Sequence, residues 1–359
     1  MSTVRITIKT PDNINFNSWE ISNYLNRIAS YHYKYEALGE LLRMISTSES
    51  IANIFVLSES FLIDRPYKFL SKVFLADKSL ISLLNIGKIV PLIPNKLFAQ
   101  INFSYDLLSL SHSLLEKQDS KVEKRSDYIF KQFNELIGNE FERKYKNKIE
   151  KIIASAKKKE RTKVEGKINN LVKTYNSTSF FNLNQIERID NETVENLTKN
   201  FRKRVSYLQR PVLGILTKEN QFIIAATDLI QNKENSLSYF IIRDFYKENP
   251  VTINIDVFGD ILEKILYPAK AKLEEELLQT DIDLQKQKVL KEKIENYGRV
   301  LELHEKFYSN LNNRTKGANS YLEVQLQTLL SEIQGDMAKK SIRVSRGEEA
   351  EIKSVDILA

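Results

Sequence analysis

The chain contains no cysteine, which excludes disulfides, thiolate metal sites and cysteine nucleophiles. Three histidines in 359 residues leave little material for a histidine-built metal centre. Glycine and proline are scarce at 10 and 7 residues, roughly half of average usage or less. That scarcity argues against glycine-rich cofactor loops and against a turn-dense all-β fold. Gly-x-Gly-x-x-Gly, Walker-type, Gly-x-Ser-x-Gly and His-Glu-x-x-His motifs are all missing, so no cofactor or metal is implied. The most apolar stretch, Ser79–Ile101, is broken by Lys88, Pro91, Pro94 and Lys96. No window reaches the ~18–20 uncharged residues a membrane span needs. The first ten residues alternate Val4, Ile6 and Ile8 with Arg5, Thr7 and Lys9. This is a strand pattern, neither a signal peptide nor a transit helix. The expectation is a soluble cytoplasmic protein without a membrane partner.

What is present begins with charge. Hydrophobic residues make up 42% and charged residues 28% of the chain, enough for a sizeable core. The formal net charge is +7. Between Glu142 and Lys173 twelve basic residues face four acidic ones, so this one stretch carries the whole excess. Its centre is Lys157-Lys158-Lys159, followed by Arg161 and Lys163, with Lys144, Lys148 and Lys151 upstream. A helix bearing these cations can track the phosphate backbone of DNA or RNA through counterion release. A solvated helix in a lysine-rich protein explains the same residues. At 100° per residue the cations cover most of the circumference, and nearby aromatics are few: Phe141, Tyr145 and Tyr175. Contact to backbone rather than to bases is expected.

Helical periodicity dominates the rest. Apolar residues from Ile21 to Ile45 predict a helix capped at Asn17 or Ser18. Shorter helices are expected at Tyr67–Leu75 and Lys78–Leu84, a loop at Gly87–Pro94 and a helix at Lys96–Glu116. From about 122 to 175 the pattern is helical throughout, with soft points at Gly138 and Gly166. Trp19, the single tryptophan, is expected as a core anchor. After Arg210-Pro211 four short apolar runs, within 211–255, predict a small antiparallel sheet that begins with a hairpin around Thr217–Asn220. Long charged helices resume over 257–336, where the spacing is not a clean heptad. A final β-hairpin over 342–357 offers a partner to the N-terminal strand.

The fold class expected is therefore α+β and predominantly helical. Two domains are expected: 1–205, with the N-terminal strand and one long basic helix, and 206–359, with the sheet, a helical hairpin and the closing β-hairpin. Self-association or a protein partner would use 257–336.

Two of the three histidines share a setting, Arg27-Ile-Ala-Ser-Tyr-His32 and Arg299-Val-Leu-Glu-Leu-His304. This Arg-x4-His spacing resembles the signature of HEPN-type ribonucleases, a helical and often dimeric family. The resemblance covers six residues each time. It implies metal-independent RNA cleavage, with His32 or His304 in acid–base work and Arg27 or Arg299 on phosphate. Neither copy carries the polar residue the family often has directly after the Arg. A surface Arg beside an interfacial His is the alternative. Asp336 with Glu351-Ile-Lys353 resembles a PD-(D/E)xK nuclease motif, and an exposed hairpin edge with alternating charges accounts for it equally. The function expected is a non-enzymatic interaction or assembly subunit that contacts nucleic-acid backbone through its basic helix. The Lys/Asn/Ile-rich composition leaves room for a role in phage biology or phage defence. The alternative is the helical ribonuclease.

Overall fold

In a computed structural model of the full chain, the structure describes residues 3–9, 18–46, 53–62, 67–118, 122–178, 180, 191–231, 240–246, 252–257, 325–333, 343–345, 348–349 and 351–358, with scattered helical positions between 270 and 298. The fold is α+β and predominantly helical. Two compact units form, and they are not the two halves of the sequence. One comprises Met1–Ser46, Asp228–Asn319 and Leu326–Ala359, the other Thr47–Thr227 and Ser320–Gln325.

The first unit joins the chain ends. β1 (Thr3–Lys9) lies between β11 (Glu351–Leu358) and β8 (Thr252–Val257), with β7 (Phe240–Tyr246) outside β8. Every pairing is antiparallel. Val4 stands opposite Ile357 on one side and Val257 on the other, and a bulge at Thr7/Ile8 interrupts the β1–β11 register. The expected pairing of the terminal strands is thus present. β9 (Arg343–Ser345) and β10 (Glu348–Glu349) make a separate small hairpin. The long helix α1 (Ser18–Ser46) runs where its periodicity placed it and buries Tyr24, Tyr33, Leu38, Leu41 and Ile45. Trp19, at its start, is 71% exposed and anchors no core. The helical hairpin expected over 257–336 lies largely outside the described residues.

The second unit is built on a five-stranded antiparallel sheet of order β3-β6-β5-β2-β4, where β2 is Ile54–Ser60, β3 Val73–Phe74, β4 Ile89–Pro91, β5 Pro211–Leu216 and β6 Gln221–Ile224. The four strands expected in 211–255 all form. They serve two sheets, β5–β6 in this one and β7–β8 in the other. Central β5 is buried along its whole length, so its unbroken apolar run fits its place. Gly214 is required there: a Cβ would lie 2.6 Å from the Ile223 carbonyl oxygen and 2.8 Å from the Phe55 ring.

Helix α3 (Lys96–Glu116) covers the sheet. The Asn95 side chain caps it, accepting from the backbone N–H of Leu97 at 2.8 Å. Phe98 of α3 meets Phe55 edge-on at 5.7 Å, and Phe55 meets Phe222 at 5.6 Å. These rings lock helix to sheet. The stretch Tyr67–Leu75, expected as helix, is instead a 3-10 turn (Lys68–Ser71) followed by β3, and Gly87–Pro94, expected as a loop, contains β4. Helix α2 (Lys78–Leu84) forms as expected, capped by Asp77.

The long basic helix expected over 122–175 is three helices: α4 (Arg125–Leu136), α5 (Phe141–Ser155) and α6 (Arg161–Asn176). The first break holds Gly138 at φ 100° and Glu140 at φ 58°, a backbone that ends helix geometry. The second, Ala156–Glu160, has no glycine or proline. Packing explains it. Phe141, Tyr145, Ile152, Val164, Ile168 and Tyr175 all gather on Phe103 and Leu107 of α3. A straight helix could not return Val164 through Tyr175 to that core, so the chain folds back. α7 (Asn191–Tyr207) completes the unit.

Candidate functional site

The turn between α5 and α6 carries the densest positive charge. α5 stops where Ala156 turns extended, and the Gln118 side-chain amide donates to the Ser155 carbonyl at 2.9 Å. Lys157, Lys158 and Lys159 follow in the turn, which closes through Glu160 N–H to Lys157 O at 2.8 Å. Arg161 and Lys163 then occupy the first turn of α6, which contains no acidic residue.

For Arg161 and Lys163 that placement runs against the stability of α6, whereas Lys157, Lys158 and Lys159 follow the C-terminal end of α5, which favours cations. The N-terminal end of a helix carries partial positive charge, and cations there cost about 0.3–1 kcal/mol each at low ionic strength. Lys151, Lys157, Lys158, Lys159, Arg161 and Lys163 are all exposed. Among the described residues none of the six forms an ion pair. The adjacent Glu160 lies 4.0 Å from Lys117 of α3. The tip is therefore a knob of exposed positive charge where α5 ends and the 16-residue α6 begins, with Glu160 as the acid among its cations.

Of the eight cations expected at the site, these six are exposed: Lys151 on α5, Lys157, Lys158 and Lys159 in the turn, and Arg161 and Lys163 at the start of α6. Lys144 and Lys148 behave differently. They are half-buried on the flank of α5 that faces α4. Lys148 hydrogen-bonds the Gln132 side chain and stands 5.8 Å from the centre of the Tyr128 ring, so its charge is committed to packing. Lys167, one turn after Lys163, is exposed and extends the charged face of α6. Helical spacing alone could have marked it. The aromatics near the basic stretch are core residues. Phe103 meets Tyr145 at 5.0 Å and Tyr175 at 5.2 Å. Burial pushes the phenols of Tyr145 and Tyr175 above their ordinary value. Neither ring is presented at the tip for stacking.

The Arg-x4-His pairs are not assembled by what the structure describes. Arg27 is half-buried on α1, close enough to Tyr24 to act on its phenol electrostatically. The side chain of His32 and the whole of Arg299 and His304 lie outside the described residues, as does Asp336. Glu351 and Lys353 belong to β11, the partner strand of β1. The third histidine, His112, is buried in α3 and bonds the Glu123 carbonyl through Nε2 at 2.8 Å, which is a structural role. Among the described residues no group of three His, Asp or Glu side chains could hold a metal, and no helix is long and apolar enough to cross a membrane.

Comparison with known protein families, with curated proteins and with solved structures finds no match for this chain.

Proposed function

We propose that the chain is a binding subunit that contacts the phosphate backbone of a nucleic acid through the α5–α6 tip. One observation carries this reading: five exposed cations, Lys157, Lys158, Lys159, Arg161 and Lys163, crowd into the α5–α6 turn and the start of α6 without ion-pair partners among the described residues, and the last two stand at the positive end of α6. Cations crowded in this way, two of them at a cost to α6, point to an external anion. Lysines in a turn offer point charges without fixed geometry, suited to a repeating backbone rather than to a base edge. A solvated surface would tolerate the same lysines, but it does not account for their crowding into one turn. The test is retention on heparin and on nucleic acid. Replacing Lys157, Lys158, Lys159, Arg161 and Lys163 by Glu should abolish both while the chain stays folded, as read from a cooperative thermal melt. Retention equal to wild type would reject the tip as the contact.

A further inference from the structure

A cavity of about 360 Å³ opens in the second unit between β4, α3, the C-terminal half of α6 and α7. Its volume falls within the range of small-molecule sites. Ring surface from Phe103 and Tyr175 and apolar surface from Pro91 and Leu197 line it. Two polar groups on its wall keep unused capacity among the described residues. Asp106 gives Oδ2 to Lys88 at 2.6 Å, and its other carboxylate oxygen has no partner. The exposed Asn200 side chain of α7 makes no hydrogen bond among the described residues and also lines the cavity.

The cavity is joined to the basic tip along α6. Lys163, Lys167, Asn170, Thr174 and Thr178 recur at steps of four, three, four and four, which puts them on one side of the helix. Thr178 stays on that side because its hydroxyl donates to the Thr174 carbonyl at 2.9 Å. Thr174 and Thr178 line the cavity, whereas Lys163 and Lys167 are exposed further up. Lys167 and Thr174 are seven residues apart, about 10 Å along the axis.

We infer that this cavity receives one unstacked base of a single-stranded nucleic acid, with the adjoining backbone laid along Lys167 and Lys163. The inference rests on the backbone-binding reading above. A planar heteroaromatic ring suits the ring-lined walls. The free Asp106 oxygen accepts a hydrogen bond and so favours a base with an exocyclic amine, which adenine, cytosine and guanine carry and thymine lacks. A base held in a duplex cannot enter without being unpaired and swung out.

The test measures anisotropy of labelled twelve-nucleotide dA and dT strands and of a duplex of the same length, with the full-length protein. Thr178→Trp fills the mouth. Asn200→Ala, at an exposed helical position, removes the free amide and decides the matter if the first variant melts early. Both variants should weaken dA binding by about tenfold and leave duplex binding unchanged. Wild type should prefer dA to dT. Variants that bind dA like wild type, or that lose strand and duplex alike, overturn the inference and leave the tip reading intact. A wild-type protein that binds neither strand nor duplex removes the tip reading itself. Adenosine monophosphate supplies the remaining arm. If it binds wild type but not Thr178→Trp, and at saturation does not displace the dA strand, the cavity serves a free nucleotide and the inference is overturned.

Discussion

Asn102 grips Ile89 by both backbone groups. Its Nδ2 donates to the Ile89 carbonyl at 2.7 Å and its Oδ1 accepts from the Ile89 N–H at 3.0 Å. β4 is an edge strand with β2 on one side only. The Asn102 amide takes the place of a missing neighbour strand and holds β4, one wall of the cavity, against α3. Asn102→Ala strands both half-buried backbone groups. The expected cost is about 1–3 kcal/mol, read as a shift of the urea midpoint at constant slope. An unchanged midpoint would show that water replaces the amide freely.

Gly214 and Gly166 should respond to alanine with opposite signs. At Gly214 the new methyl meets the Ile223 carbonyl and the Phe55 ring, inside contact distance. Prying β5 from β6 costs about 1–3 kcal/mol. At Gly166, mid-helix in α6, nothing lies within 4 Å of the added carbon. Gly166→Ala should stabilise by about 0.4–1 kcal/mol through lost freedom of the unfolded chain. Urea denaturation of both variants checks the pair, and equal signs would refute the packing at Gly214.

Removing residues 341–359 takes away β11, and with it one of the two neighbours of β1. β1 then becomes an edge strand held by β8 alone. The expected result is a loss of several degrees in Tm and new protease cleavage at the N-terminus. A melting curve unchanged from wild type would contradict the four-stranded sheet.

The Asp127 carboxylate of α4 is hydrogen-bonded and ion-paired to Lys78 of α2. That hydrogen bond, with smaller help from the charges of Lys78, Lys124 and Lys131, lowers its pKa below the ordinary carboxylate value. A carboxyl whose folded pKa is depressed stabilises above its unfolded pKa, and the contribution fades as pH falls through the folded value. Asp127→Asn should therefore melt slightly below wild type at neutral pH, and the two should converge in acid. Both groups are solvent-screened, so the gap is small. A gap that persists at low pH would mean that the asparagine perturbs packing instead.

Local periodicity made several elements legible. α1, α2, α3 and the β5–β6 hairpin lie where repeat spacing, caps and turn residues put them, because those signals act within a few residues. The split of the basic stretch was not legible at Ala156–Glu160, since Ala-Lys-Lys-Lys-Glu contains no helix breaker. Its cause is distant, the pull of Phe103 on Val164, Ile168 and Tyr175. β4 was hidden for a similar reason: it ends on Pro91 with Pro94 close behind, and only β2 and Asn102 make it a strand. The distribution of β5–β6 and β7–β8 between two sheets depends on partners far along the chain. Trp19 misled because size suggests burial, whereas its place at the exposed start of α1 decides. At the site, charge density marked Lys157, Lys158, Lys159, Arg161 and Lys163 as candidates, and they are exposed. It could not separate Lys148, spent on Gln132 and Tyr128, from Lys157, which faces solvent.

The salt dependence of single-strand binding tests the central claim most directly. Each neutralised phosphate contributes about 0.7 to the slope of log Kobs against log salt for a single strand. Five tip cations, Lys157, Lys158, Lys159, Arg161 and Lys163, thus account for a slope of about −3.5. Binding measured across a salt series should show at least that slope for wild type. The five-fold Glu variant, still folded by its cooperative melt, should lose both the affinity and the slope. A variant that keeps the wild-type slope would contradict the assignment of the α5–α6 tip as the nucleic-acid contact.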